Sequence, residues 1–237
     1  MRNTWVLPSA LCLLLPLLTA CGSDDGGGDE PGGSYAGQTY LLVIGPGDFG
    51  PGIGTELNPD AVPEFALKVD GSGSTYDVTI GTGYTPAGGV WAQDMCNPTT
   101  HVAATSNPYP GFSLGPVELP IYLKHPVQEA SARATAHQFT MTNVLLPDGM
   151  TEGSGTLSAI LDAREVYPVF PQLGVGADGD KMCEYLLNND IDTCMPCPGD
   201  GQPYCLTLSA SYLGAPAPTP ALTLTETPGY ADTCFFN

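Results

Sequence analysis

The chain has 237 residues, 25 acidic against 6 basic, and a formal charge of −19 at pH 7. A field of that sign repels phosphate backbones and no basic cluster breaks it, so composition argues against nucleic acid as a partner. Only 13% of residues are charged whereas 30 are glycine and 24 proline, so the acidity comes from scarce Lys and Arg, and the chain is punctuated for turns.

The N-terminal segment opens with Arg2 and an apolar run from Trp5 to Leu18, too short and too broken by Pro8 and Pro16 to be a membrane-spanning helix. It closes on Leu18-Thr19-Ala20-Cys21. These positions resemble the lipobox of bacterial lipoproteins. The resemblance implies that residues 1–20 are a lipoprotein signal peptide, that the Cys21 thiol carries diacylglycerol, and that the new amino terminus is acylated, commonly with palmitate. Gly22 and Ser23 follow the cysteine where Asp or Lys can act as a retention signal, so the expected location is the outer membrane, periplasmic or surface-facing. Anionic headgroups would repel so acidic a body, which leaves the lipid as the anchor. From Gly22 to Ser34 no apolar side chain is available to bury, so residues 21–34 read as a lipidated cysteine on a disordered tether spanning on the order of 20 Å. Residues 35–237 then read as a single β-rich domain with a Cys-rich segment at 178–205.

Thr39 to Ile44 is a β-branched and aromatic run bounded by glycine and reads as a buried strand. Gly45, Gly47 and Gly50 after it formally match a dinucleotide-binding loop. Such a loop must open a helix whose N–H groups face a pyrophosphate, and Pro46, Pro51, Gly52, Gly54, Pro59 and Pro63 forbid that helix. Phe65–Val69 and Thr75–Ile80 flank Asp70-Gly-Ser-Gly-Ser74 as a hairpin, with Tyr76, Val78 and Ile80 on one face of the second arm. Val90–Met95 and His101–Thr105 are weaker strand candidates. Four prolines from Pro108 to Pro120 then imply that a strand at Ile121–Lys124 is short or at an edge. Ala132–Leu146 and Gly155–Leu161 read as a hairpin turned at Pro147-Asp-Gly149, followed by a brief helix before Pro168. The one longer helix is expected over Lys181–Asn188, capped by Asp180, with Met182, Cys183, Leu186 and Leu187 on one face. Cys205–Leu213 and Ala221–Thr225 complete the strands. The fold class expected is therefore all-β, a sandwich or partly open barrel of about eight strands with a small helical, disulfide-stapled insertion.

Of the eight cysteines, Cys12 leaves with the signal and Cys21 carries lipid. Cys96, Cys183, Cys194, Cys197, Cys205 and Cys234 remain, and in an oxidising compartment an even set reads as disulfides. The spacing suggests a local knot of four from Cys183 to Cys205 and a long-range bridge from Cys96 to Cys234. Gly155-Thr-Leu with Asp162-Ala-Arg164-Glu, then Cys183, Cys194-Met-Pro-Cys197-Pro and Asp200-Gly-Gln-Pro-Tyr-Cys205, resembles uncharacterised cysteine-rich lipoproteins of myxobacteria over roughly residues 155 to 210. That resemblance implies no activity.

Cys194-x-x-Cys197 invites a zinc or redox reading, but exported thiols are normally oxidised first, and Pro196 and Pro198 make a loop where a redox pair wants a helix N-terminus. Asp178, Asp180, Asp190 and Asp192, with Asp200 nearby, could offer the hard oxygen ligands that suit Ca²⁺, although their spacing is not that of an EF-hand. The competing assignment is caps and Asx-turns. No cofactor other than Ca²⁺ is suggested. His101, His125 and His137 stand singly, and no G-x-S-x-G is present. The expected function is that of a membrane-anchored envelope lipoprotein with a non-enzymatic binding or structural role towards an envelope protein or glycan. The alternatives are a Ca²⁺-dependent binding or adhesion module and an envelope hydrolase whose catalytic carboxylates sit on loops.

Overall fold

In a barrel only one face of each strand looks inward, so alternating apolar side chains on successive strands can fill one shared interior. The computed structural model describes residues 37–44, 63–71, 74–85, 90–106, 111–125, 130–146, 153–169, 179–215 and 222–228, all within one compact unit, Gly33–Asn237. Among them run β1 (Gln38–Val43), β2 (Glu64–Asp70), β3 (Thr75–Tyr84), β4 (Ala92–Gln93), β5 (Thr100–Ser106), β6 (Phe112–His125), β7 (Ala130–Leu145), β8 (Gly153–Asp162) and β9 (Cys205–Ala215). Every pairing is antiparallel. They lead from β1 through β2, β3, β5, β6, β7, β8 and β9 back to β1, with β4 appended to the end of β3. The result is a curled barrel rather than a sandwich. Two seams are short: β1 meets β9 only from Leu41 to Val43, and β5 meets β6 only from Ala104 to Ser106.

The second seam explains β6. The segment Ile121–Lys124, expected to be short or at an edge, is the end of a 14-residue strand and pairs on one side only, so it is an edge without being short. Pro116 and Pro120 are tolerated because β5 reaches only as far as Leu114, so the rest of β6 pairs with β7 alone and has an open side that needs no proline N–H. Where that open side is buried, a side chain takes the place of a strand. The Tyr122 N–H donates to Asn97 Oδ1, while Asn97 Nδ2 and the Tyr84 hydroxyl both donate to the Tyr122 carbonyl at 3.4 Å. Asn97 is 1% exposed, so water cannot substitute for it.

Inside the barrel the alternation seen in the sequence holds. Tyr76, Val78 and Ile80 of β3 meet Val102 and Ala104 of β5 and Phe139 and Met141 of β7 in one cluster. Phe65 and Phe139 pack with ring centroids 5.9 Å apart, and Tyr76 and Phe112 at 5.4 Å. Each such buried side chain contributes roughly 1.5–3 kcal/mol. After β8 come α1 (Ala163–Val166), a 3-10 turn (Tyr167–Val169) and α2 (Gly179–Asn188). Ala163, Val166, Val169, Met182 and Leu186 join the same core. The longer helix begins earlier than expected, which places Asp180 in its first turn rather than at its cap, and Leu187 is 57% exposed instead of sharing the buried face.

A smaller cluster sits on the outer face. A Cβ on Gly83 would lie 2.5 Å from the Trp91 ring, and one on Gly81 2.7 Å from Leu224 Cδ2. The two glycines thus form a trough that Trp91 and Leu224 fill, beside Leu41 and Ala66. The segment containing Leu224 was expected to be a strand, and residues 222–228 form none. The side chain of Gln93 stands in for a ladder: its Nε2 donates to the Thr225 carbonyl at 2.8 Å, and its Oε1 accepts from Thr225 N at 2.9 Å. Thr99 makes a similar pair with Thr227. Val90–Met95 likewise shrinks to the two residues of β4.

The register fixes a polarity. Gln38, where β1 begins, lies opposite Val69 near the β2–β3 turn, and Ser106 N donates to Ser74 at that same end. The far end gathers Asp162 and Cys205. Replacing Asn97 by Ala strands the buried Tyr122 N–H, and chemical denaturation should report a loss of about 1–3 kcal/mol with an unchanged slope against denaturant.

Candidate functional site

At that far end Asp162 does three jobs. It ends β8 opposite Cys205, takes an extended backbone (φ −83, ψ 119), and caps α1 by accepting the Arg164 N–H at 2.8 Å. Its side chain is only 10% exposed, a costly place for a charge unless it is paired. Arg164 supplies the partner. Its Nε lies 2.9 and 3.0 Å from the two Asp162 oxygens, and its Nη2 also donates to Oδ2. Nη1 reaches Asp200 at 2.9 Å, the guanidinium lies 4.9 Å from the Tyr204 ring centroid, and Nη2 is 3.9 Å from Cys197 Sγ. A Cβ on Gly179 would stand 2.7 Å from Arg164 N, so α2 starts hard against the same residue. One guanidinium thus joins strand end, helix and loop. The hydrogen bond from Arg164, then that from the Gln202 backbone, holds the Asp200 carboxyl below its usual value, while Asp162 and then Asp200 hold the Arg164 guanidinium above its own.

The four local cysteines pair as Cys183–Cys194 and Cys197–Cys205, with Cα separations of 5.7 and 4.9 Å. The first ties α2 to the chain entering the loop; the second closes a turn in which Cys197 N donates to the Gln202 carbonyl at 2.7 Å. Cys194 and Cys197 therefore belong to different bridges and do not act as a pair. Cys96 is disulfide-bonded as well; Cys234 lies outside the described residues, as do Cys21 and the lipobox. The ligand atoms of Asp162, Cys197 and Cys205 lie within 4.8 Å of one another. The two sulfurs are spent in the disulfide and the carboxylate is held by Arg164, so this group has no thiolate to offer a cation.

Among the acidic residues expected to hold Ca²⁺, Asp190 and Asp192 have local roles at the end of α2. Asp190 stands at φ 54, with Ile191 N bonded to Leu186 O at 2.9 Å and Asp190 N to Leu187 O at 3.2 Å. That is a Schellman closure of α2 with Asp190 in the left-handed position. Asp192 accepts from Thr193 N at 2.7 Å, and Asp180 is exposed on α2. None of the three enters the clustered ligand group found among the described residues, and Asp178 lies outside them.

Two further features escaped the sequence reading. His137 Nδ1 contacts Glu118 Oε2 across β7 and β6, a pair that spacing could not reveal because bulges shift the register there. The outer face of β7, β8 and β9 also carries rows of hydroxyls. Thr140 bonds Ser158 at 2.7 Å and Thr142 bonds Thr156 at 2.6 Å, beside an open groove of about 240 Å³ lined also by Ser209 and Ser211. Neither His137 nor Glu118 lines that groove. No protein-family model matches this chain, and no curated protein and no solved structure matches it either.

Replacing Arg164 by Met leaves a buried carboxylate without its partner and should lower the melting temperature by several degrees. The double variant with Asp162→Leu should recover part of that loss, because an apolar pair needs no desolvation. The bridges should also open in order. Cys183 and Cys194 are half-buried, whereas Cys197 and Cys205 are 5% and 0% exposed. Under mild reduction of the native protein, alkylation and mass spectrometry should find Cys183 and Cys194 modified first.

Proposed function

We propose that the chain is a lipid-anchored protein of the bacterial envelope, with a non-enzymatic binding or structural role towards another envelope component. The lipobox Leu18-Thr19-Ala20-Cys21 is the sequence support for the anchor, and Gly22-Ser23 after it for the outer-membrane location. The structural observation that carries the reading is the polarity of the barrel. A tether on Cys21 would join the domain where β1 begins at Gln38, while the helices, the disulfide knot and the Arg164 cluster occupy the opposite end. The stapled end is thus the end of the barrel remote from where the tether joins it, and it is the surface this reading offers to an envelope protein or glycan. A filled interior supports a scaffold role: Phe112, Phe139, Leu119 and Met141 are all under 2% exposed within the barrel cluster.

The test is on the anchor. Cells fed an alkyne-tagged fatty acid should label the wild-type protein, and it should sediment with membranes. Cys21→Ser should lose the label and accumulate as uncleaved precursor. Normal maturation and unchanged lipid labelling of that variant would overturn the reading.

A further inference from the structure

We infer that residues 222–228 form a pH-sensitive strap, latched onto the barrel by Glu226 and tightened when His101 is protonated. The latch rests on a row of outward-facing residues across three strands. Lys68 of β2 is in register with Thr79 of β3, and Thr79 with His101 of β5. Thr79 Oγ1 lies 3.1 Å from His101 Nδ1, and Glu226 Oε1 lies 3.5 Å from His101 Nε2. The strap therefore sets its carboxylate against a row with a basic side chain at each end, in a chain that has only 6 Lys and Arg in all.

The other charged groups around this row are accounted for. Lys68 is bonded to Asp70 at 2.9 Å, and its ammonium is held above its usual value first by that bond, with smaller contributions from Glu226 and Asp77. Asp70 thus offsets much of the Lys68 charge at every pH where both are ionised. Histidine is the residue type whose charge changes between pH 5 and 8, and His101 is the one histidine in this row. Protonated, it attracts Glu226; neutral, it does not. Closure is accordingly favoured at acidic pH and weakens as the pH rises through neutrality.

The rest of the strap is built to open locally. It has no ladder of its own, and its holds include the side chains of Gln93 and Thr99, the backbone bond from Thr99 N to the Thr227 carbonyl, the bond from Thr227 Oγ1 to the Met95 carbonyl at 3.2 Å, and Leu222 and Leu224 on the Trp91 trough. Lifting it uncovers that trough without breaking a strand pairing of the barrel.

Amide hydrogen exchange in the full-length protein tests this. The Thr225 and Thr227 amides bond to Gln93 and to Thr99, so their protection reads closure directly. After correction for intrinsic exchange, protection at these two amides should fall about two- to fivefold between pH 5.5 and 8, the range an exposed ion pair can deliver. Core amides such as those of Val78 and Met141 should not follow. Glu226→Gln and His101→Gln should each flatten the profile, and added salt should shrink the acidic gain. Protection that is independent of pH, that tracks the core amides, or that keeps its pH dependence in Glu226→Gln would overturn the inference.

Discussion

Asp162 is a carboxylate buried at the end of β8, and the guanidinium of Arg164 is what makes its burial tolerable. Most of the far end of the barrel follows from this pair. Because Arg164 is two residues from Asp162, the chain must turn into α1 at once, and Asp162 caps that turn. Because the guanidinium has donors left over, it also draws in Asp200 and settles on Tyr204, which positions the loop closed by Cys197–Cys205. Gly179 is small enough to let α2 approach the same residue. The disulfides then hold closed what the ion pair has oriented.

The barrel shows a second recurring device, an amide side chain in place of a strand. Asn97 completes the backbone bonds of Tyr122 where β5 falls short, and Gln93 completes those of Thr225 where the last segment fails to become a strand. Carboxamides suit this role because they carry a donor and an acceptor in nearly the geometry of a peptide group. Such substitutes satisfy backbone groups that the strand pairings of a proline-rich chain leave over. They also leave segments such as the strap with fewer cooperative bonds, and hence freer to move, than the ladder-bonded core.

Much of the architecture was legible in the sequence because period-2 alternation and Pro/Gly punctuation act locally. β3, β5 and β8 stand where the sequence places strands, each running further than the alternation shows, and the short helix after Asp162 follows from Pro168. Where the reading failed, a distant partner decided. The prolines of β6 mark an edge, and the strand has one beyond Leu114, yet it is long rather than short because β7 supports it. Leu222 to Thr225 alternates like a strand, but it packs over a glycine trough on the outer face of β3, where it reaches the sheet through side chains. Asp190, one of the carboxylates near α2, is the left-handed residue that ends the helix, a backbone role that composition does not announce.

By itself the sequence determined that this is a β-rich chain with turn-rich connections, a strongly acidic formal charge, and a set of cysteines suited to disulfides. Composition and short-range periodicity carry that information without any contact between distant residues. Only the tertiary structure decided that the strands close into a barrel, that Cys183 pairs with Cys194 and Cys197 with Cys205, and that Asp162 rather than the acidic cluster anchors the stapled end. The closure and the disulfide pairing depend on which residues meet along the chain, from Cys197 with Cys205, 8 positions apart, to Leu41 with Ala215, and such meetings are set by packing and by the need to pair every buried polar group, which no local pattern encodes.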